Sequence, residues 1–230
     1  MNATLEGHAN SHYDGDLNNL HNLMLEIGSL ALDQNRLAIH ALLEQRISDA
    51  HIVIERESSV DALESRIDAA ILLVICKRSP IAKDLRTIMA FSKAVSDMER
   101  IGDEAVRLAN ITIELYQNGS TVPNQRQLRD VFNMGKYALE LLERSLDCFA
   151  EFNVDEAKEL LQDEPEFSAE FESNLRKLAT FVLEDARNVG HVINLTLIIK
   201  ILERLGQYSI NLAEHVVYLV AGVDVRHREL

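Results

Sequence analysis

Glu99 and Asp103 are one helical turn apart in the stretch DMERIGDEAV (residues 97–106), and Gly102 lies between them. On a helix, two carboxylates at this spacing share a face and repel each other by about 0.2–0.5 kcal/mol. The glycine costs the helix roughly a further 1 kcal/mol relative to alanine. Glu99 also falls on the apolar stripe of its helix, so we expect it to be buried and to need a cationic partner in place of its hydration.

Glu57 and Asp61 repeat the acid-x-x-x-acid spacing in the preceding helix. If the two helices fold back on each other about a turn near residues 79–80, Asp61 faces Glu99 and Glu57 faces Asp103. Carboxylates that converge at one level of a hairpin need a counter-ion, and oxygen ligands suit a divalent or trivalent ion of the Mg, Mn or Fe class. The sequence therefore predicts a metal site formed by Glu57, Asp61, Glu99 and Asp103.

Two other interpretations of these acids stay open. In the first, they point to solvent and pair with arginines, as charged helix faces commonly do; the candidates are Arg56, Arg66, Arg100 and Arg107. In the second, the cluster is the centre of a metal-dependent hydrolase or oxidase, which would need a general base and open coordination positions. No histidine lies near these acids in the sequence, and no GxGxxG, GxxxxGK[ST], HExxH, GxSxG or Glu-x-x-His motif occurs.

The elements that must position the acids are predicted to be long helices. Trp is absent and there are only 9 Gly and 3 Pro, a composition that favours helices over sheets. Apolar residues recur at helical spacing over residues 17–42 and 54–75, and a third helix is predicted over about 80–117. Ser79 and Pro80 are predicted to be the N-cap and first-turn proline of this third helix.

The second half of the chain resembles the first. MERIGDEAVRLA (98–109) matches LERLGQYSINLA (202–213) at an offset of 104 residues, and DAHIVIERE (49–57) matches EAKELLQDE (156–164) at an offset of 107. Amphipathic helices rich in Leu, Ala and Glu look alike in general, but ordered matches across consecutive helices favour a true duplication. We therefore predict two copies of an antiparallel three-helix bundle, six long helices in all.

The predicted boundaries follow from this duplication and from the turn-rich stretch QNGSTVPNQ near the midpoint. They are a disordered amino-terminal tail (1–11), a first repeat (12–117), a linker (118–124), a second repeat (125–222) and a carboxy-terminal tail (223–230). In the second repeat, Ser168 and Gln207 stand where the first repeat has aspartates, beside Glu164 and Glu203. We expect this repeat to bind metal weakly or not at all, or to hold it with help from elsewhere.

The net charge of −14 opposes binding to nucleic acid and to anionic lipid headgroups. The longest apolar run, AAILLVIC (69–76), is far shorter than the roughly 20 residues that a membrane span requires. Cys76 and Cys148 lie in apolar helical contexts and are predicted to be reduced core residues. We therefore expect a soluble cytoplasmic protein without a nucleic-acid partner and without direct membrane insertion.

Two stretches carry a family resemblance. RSPIAKDLRTIMAFSKAVSDMERIGDEAVRLA (78–109) closely resembles the third-helix signature of the PhoU family of phosphate-signalling proteins. ILERLGQYSINLAEHVVYLVAG (201–222) resembles the family's sixth helix, and the likeness extends over roughly residues 12–222. The family's metal motifs fall on Glu57 with Asp61 and on Glu99 with Asp103, whereas ERLGQ replaces the usual ERIGD in the second repeat.

The resemblance implies a non-enzymatic, cytoplasmic and usually dimeric regulator. Such a regulator couples the phosphate ABC transporter, through its ATPase subunit, to a sensor histidine kinase, and it represses phosphate-starvation signalling when phosphate is ample. The departure at Gln207 leaves room for a divergent relative that serves another phosphate transporter. A metal-binding or purely structural helical scaffold is the remaining alternative.

Overall fold

The computed structural model describes residues 11–117, 125–184 and 189–225, which form six α-helices and no strand. This confirms the all-α prediction. The helices are α1 Ser11–Leu43, α2 Ile47–Arg78, α3 Lys83–Gln117, α4 Gln125–Glu151, α5 Val154–Glu184 and α6 Val189–Ala221. Most of the predicted tails (1–11 and 223–230) and the whole predicted linker (118–124) lie outside the described residues, so the domain boundaries stay predictions.

Each half packs as a three-helix bundle. Helices α1, α2 and α3 contact one another, and so do α4, α5 and α6. The halves meet where α1 packs against α4 and α3 packs against α6. Because Asp97 contacts His215 while Glu104, later in α3, contacts Arg204, earlier in α6, these two helices run antiparallel.

The turns that end α1 and α4 have the same geometry. Gln45 (φ 57°) and Phe152 (φ 54°) both adopt the left-handed conformation, and the 107-residue offset separates them. The backbone N–H of Arg46 donates to the carbonyl of Ala41 at 2.9 Å, and the corresponding bond closes α4 at 3.0 Å. Both helices thus end in the same hydrogen-bonded cap, which supports the duplication read from the sequence.

Ser79 ends α2 and does not begin α3. Its φ is 48°, and its backbone N–H donates to the carbonyl of Ile75 at 3.1 Å. A proline disfavours the right-handed helical conformation in the residue before it, so α2 stops ahead of Pro80. The chain then turns through Ala82 (φ 49°), and α3 begins at Lys83. The predicted N-cap at Ser79 and first-turn role of Pro80 are therefore wrong.

The two cysteines are both free, and they occupy different environments. Cys148 is buried, as predicted. Cys76 is exposed, so its predicted place in the core is wrong. The buried stripe of α2 includes Ile71 and Val74, and Cys76 lies two residues beyond Val74, on another side of the helix. Along the described part of the chain, no helix combines the length and apolar character needed to cross a membrane.

Candidate metal centre

Gly102 allows α2 and α3 to approach closely at the level of the predicted acids. The glycine is buried, and a Cβ placed on it would lie 3.3 Å from Val60 Cγ1 and 3.3 Å from Gln34 Oε1. Next to it in the chain, the carbonyl of Ile101 accepts a hydrogen bond from Asn35 Nδ2 at 2.8 Å, which fixes α3 against α1. The glycine that breaks the helical pattern thus sits where three helices converge.

The structure brings the four predicted acids together along the seam between α2 and α3. Partial burial raises the pKa of Glu57, and the charges of Asp61 and Asp103 raise it further. Burial likewise raises the pKa of Glu99, with further increases from Asp103, Glu64 and Asp61. Each helix therefore supplies acids that disfavour ionisation of the acids on the other helix.

Glu64 belongs to the same cluster and was missed in the sequence. Burial raises the pKa of this carboxyl, as do the charges of Asp68, Asp61 and Asp103, while Arg100 lowers it. The available signal was its position, two helical turns after Glu57 and one turn after Asp61, which places it on the same face of α2.

Arginines compensate for only part of this negative charge. Arg107 Nη2 lies 3.5 Å from Asp103 Oδ2, and both side chains are partly exposed. Arg100 lowers the pKa of Glu99, but its closest ion-pair contact is with Asp97, where Nη1 and Oδ1 are 3.4 Å apart. Of the arginine pairings that the sequence offered as an alternative, the one between Arg107 and Asp103 is present.

The donor set fits an oxygen-ligated ion in its chemistry. Glu57, Asp61, Glu64, Glu99 and Asp103 all carry carboxylates, the ligands that Mg²⁺, Mn²⁺ and iron accept from Asp and Glu. In the described part of the chain, no three His, Cys, Asp or Glu side chains are arranged as a ready-made metal site. The structure thus gathers the acids on one seam without converging their oxygens on a single point.

The corresponding seam in the second half is closed by a hydrogen bond. Gln207 Nε2 donates to Glu164 Oε1 at 3.2 Å, between α6 and α5. At this level Gly206 packs against the ring of Phe167, which stands at the position that Val60 occupies in the first half. Burial raises the pKa of Glu203, whereas Lys200 and Arg204 lower it. In the second seam, the amide of Gln207 and the cations Lys200 and Arg204 thus compensate for carboxylate charge. The acids of the first seam have less compensation of this kind.

The most buried acids of α3 face α6 and were not singled out in the sequence. Glu104 is fully buried, and its Oε1 accepts hydrogen bonds from Arg107 and, at 3.3 Å, from Arg204. Burial raises the pKa of Glu104, and the two arginines lower it. Asp97 is buried as well, and its Oδ2 lies 2.7 Å from Nε2 of the buried His215. Glu99, which the sequence placed on the buried stripe, is only half-buried.

Comparison with known proteins identifies relatives along nearly the whole chain. The family model described as the PhoU domain matches residues 24–112 and 131–216. The phosphate-specific transport system accessory protein PhoU homolog of Pseudomonas aeruginosa is 34% identical over 97% of this chain and 91% of that protein. The phosphate-specific transport system accessory protein PhoU of Escherichia coli K12 is 30% identical, with 97% of this chain and 91% of that protein covered.

Solved structures share the fold. The crystal structure of PhoU from Pseudomonas aeruginosa superimposes with a TM-score of 0.87 at 33% identity, covering 92% of this chain and 100% of that one. The phosphate transport system regulatory protein PhoU from Streptococcus pneumoniae, at 23% identity, shares the fold with a TM-score of 0.83 over 94% of this chain and 99% of that one. With its six-helix architecture, its duplicated halves and these matches in sequence and structure, the chain belongs to the PhoU family.

Proposed function

We propose that this protein is a non-enzymatic regulator of phosphate uptake that acts as an accessory of a phosphate ABC transporter. In this role it binds the transporter's ATPase subunit and a sensor histidine kinase in the cytoplasm, as a homodimer, and represses starvation signalling when phosphate is ample. The support is membership of the PhoU family together with the names of its relatives, which are accessory proteins of phosphate-specific transport systems.

The proposal assigns a metal ion of the Mg, Mn or Fe class to the seam between α2 and α3. Glu57, Asp61, Glu99 and Asp103 would hold it, with Glu64 beside them. The observation that carries this proposal is the close approach of Gly102, between Glu99 and Asp103, to Val60, between Glu57 and Asp61. Burial and acids of both helices accordingly raise the pKa of Glu57 and of Glu99. A bound cation would supply the positive charge that this seam lacks, and it would clamp the two helices together.

A hydrolase or oxidase at the same cluster is less well supported. The charged groups that shift the pKa values of Glu57, Glu64 and Glu99 are other carboxylates and Arg100, so no histidine among them could serve as a separate general base. A regulator needs only that the ion order the seam. The Gln207 to Glu164 hydrogen bond favours a second candidate, an accessory of another phosphate transporter, because it departs from the family pattern at the second seam.

Affinity purification of the tagged chain from its own host tests the proposed partners. We expect the transporter ATPase subunit and a histidine kinase to co-purify from phosphate-replete cells, and the kinase to be released on phosphate starvation. If neither protein is enriched over an untagged control in either condition, the regulatory proposal is wrong. Recovery of the ATPase subunit of a different phosphate transporter would select the second candidate.

Elemental analysis of the purified protein tests the metal site separately. We expect Glu99→Ala and Asp103→Ala to lower the bound metal content, with Glu159→Ala, at an exposed position on α5, as the matched control. Unchanged metal content in both seam variants would remove the site from the proposal.

A further inference from the structure

Two grooves flank the contact between α3 and α6, and the duplication relates one to the other. The polar groove has a volume of about 380 Å³, and its lining includes Lys93, Asp97 and His215. The cationic groove has a volume of about 260 Å³, and its lining includes Arg107, Ile111, Leu197, Lys200, Ile201 and Arg204. Residues that line one groove correspond to residues that line the other at the 104-residue offset of the duplication. The two grooves therefore occupy equivalent places in the fold.

The floors of these equivalent grooves have diverged. In the polar groove the floor contains the buried pair of Asp97 and His215. In the cationic groove the equivalent positions hold Ile201 and Ile111, while Leu197 takes the place of Lys93. One groove therefore presents a polar floor and the other an apolar floor, so they suit different ligands.

The walls of the cationic groove carry a local excess of positive charge in a chain whose net charge is −14. Arg107 extends from α3, and Lys200 and Arg204 extend from α6. The buried Glu104 contacts both arginines, yet each arginine side chain remains 49% exposed. Among the described residues, the lining of the groove includes these three cations and no carboxylate. The acids that the cations also act on, Glu104, Asp103 and Glu203, lie outside the lining, so the exposed cations remain available to an anionic partner.

An apolar stripe continues from the floor of this groove along α6. Leu197 is 46% exposed, and Ile193, one turn earlier on the same face, is 55% exposed. From Ile193 to Arg204 the helix advances about 16 Å, which is roughly three turns. Covering such a stripe removes apolar surface from water, which favours binding of a partner whose apolar side chains have helical spacing.

We propose that the cationic groove is a docking site for an acidic amphipathic helical segment of a partner protein. Its apolar side chains pack over Leu197, Ile193 and the floor of the groove, while its carboxylates pair with Arg107, Lys200 and Arg204. A small oxyanion would engage the cations and leave the apolar stripe exposed, so the combination favours a peptide segment. This inference goes beyond the proposed function, because it needs neither phosphate nor a bound metal, and it meets the seam only where Arg107 contacts Asp103.

Methyl NMR of the full-length chain, labelled at isoleucine δ1 carbons, tests the docking site. The probe is a synthetic peptide of about four helical turns with leucines at every third or fourth position and glutamates between them. We expect the methyl signals of Ile111, Ile193 and Ile201 to shift on titration and that of Ile54, in α2, to stay unchanged. Two matched peptides, one with lysines replacing the glutamates and one with the leucines scrambled, should not shift these signals.

Variants of exposed groove residues complete the test. Lys200→Glu and Leu197→Ser should each weaken peptide binding by about tenfold, whereas Lys158→Glu, the same charge change at an exposed position on α5, should change it less than about twofold. Circular dichroism checks that each variant remains helical. Equal affinity for wild type and both groove variants, or equal binding of the lysine peptide, would overturn the proposal. The same methyl shifts with inorganic phosphate alone would reassign the groove to a small anion.

Discussion

Gln207 donates a hydrogen bond to Glu164 at 3.2 Å, at the place in the second half where the first half sets Asp103 against Glu57. The two halves have kept the same helix packing around this level, but one seam pairs an amide with a carboxylate and the other gathers only carboxylates. Gln207 and Glu164 are satisfied by their own hydrogen bond. The acids of the first seam are compensated only in part by Arg100 and Arg107, so a proton or a positive ion lowers their remaining repulsion.

Changing Gln207 to Asp should make the second seam more like the first, with Ser168 still in the place of Asp61. In the presence of a chelator we expect a loss of about 0.5–1.5 kcal/mol in the free energy of unfolding, because the hydrogen bond disappears and a like charge is added. With Mn²⁺ present, the variant should gain more in melting temperature than the wild type does. Differential scanning calorimetry at several Mn²⁺ concentrations measures this difference.

Gln162→Asp provides the control for the second seam, since it adds the same charge at an exposed position of α5. Its Mn²⁺ dependence should match that of the wild type. If Gln207→Asp also shows no additional response to Mn²⁺, one added carboxylate does not turn the second seam into a cation site, and this prediction is wrong.

The pH dependence of stability should report the acids of the first seam. The pKa of Glu99 in the folded chain is raised above 4.5, so the folded state binds its proton more tightly than the unfolded state does. This contribution to stability is present below pH 4.5 and is lost as the pH rises through the raised pKa. Glu99→Gln should therefore become more stable relative to the metal-free wild type as the pH increases across that range.

Urea denaturation of chelator-treated protein, from about pH 4 to pH 7, measures the difference between Glu99→Gln and the wild type. Glu159→Gln removes one negative charge from an exposed position and serves as the reference. Addition of Mn²⁺ should reverse the trend, because a metal binds the ionised carboxylates. A stability difference that is flat with pH, or that falls, contradicts the raised pKa.

The two seam glycines should respond differently to an added methyl group. A Cβ at Gly206 would overlap the buried ring of Phe167, so Gly206→Ala should cost about 1–3 kcal/mol despite a gain of roughly 1 kcal/mol in helix propensity. At Gly102 the nearest side-chain atoms are 3.3 Å away, so the two effects should nearly cancel. Gly15→Ala, with no atom within 4 Å, should stabilise α1 slightly. Urea unfolding of the three variants measures this order, and equal effects at all three positions would refute it.

The six helices and their duplication could be read from the sequence because both signals are local. Apolar spacing within a helix and matched residues at a fixed offset need no knowledge of tertiary contacts. The acids of the first seam were accessible for a related reason: one short turn joins α2 to α3, so the register of Glu57 and Asp61 against Glu99 and Asp103 follows from the position of the turn. The structure places the turn at residues 79–82, close to where the sequence put it.

The contact between the two halves could not be read in this way. Asp97 and His215 are 118 residues apart in sequence, and their pairing depends on how α3 docks against α6. No turn joins these helices, so their register is set by packing across the whole molecule. Glu104 was hidden for the same reason, because on α3 alone it is one more acid beside Asp103. The cap at Ser79 was misread because Ser-Pro fits the end of one helix as well as the start of the next.

The buried pair of Asp97 and His215 should be strongly coupled in stability. Their side chains are 2.7 Å apart and each is 8% exposed, so replacing His215 alone by isoleucine leaves a buried carboxylate whose ion pair with Arg100, at 3.4 Å, remains. We expect His215→Ile and Asp97→Ile each to cost about 2–4 kcal/mol in the free energy of unfolding. The equivalent positions of the other groove hold Ile111 and Ile201, which shows that this fold accepts an apolar pair there. The double variant should therefore cost clearly less than the sum of the two single variants.

A double-mutant cycle by urea denaturation measures the coupling energy between Asp97 and His215. The exposed pair of Arg36 and Glu143, 2.8 Å apart, provides a reference cycle whose coupling energy we expect to stay below about 1 kcal/mol. Additive losses in the Asp97 and His215 cycle would mean that the two side chains stabilise the interface independently, and that the apolar pair of the second groove is not an interchangeable solution.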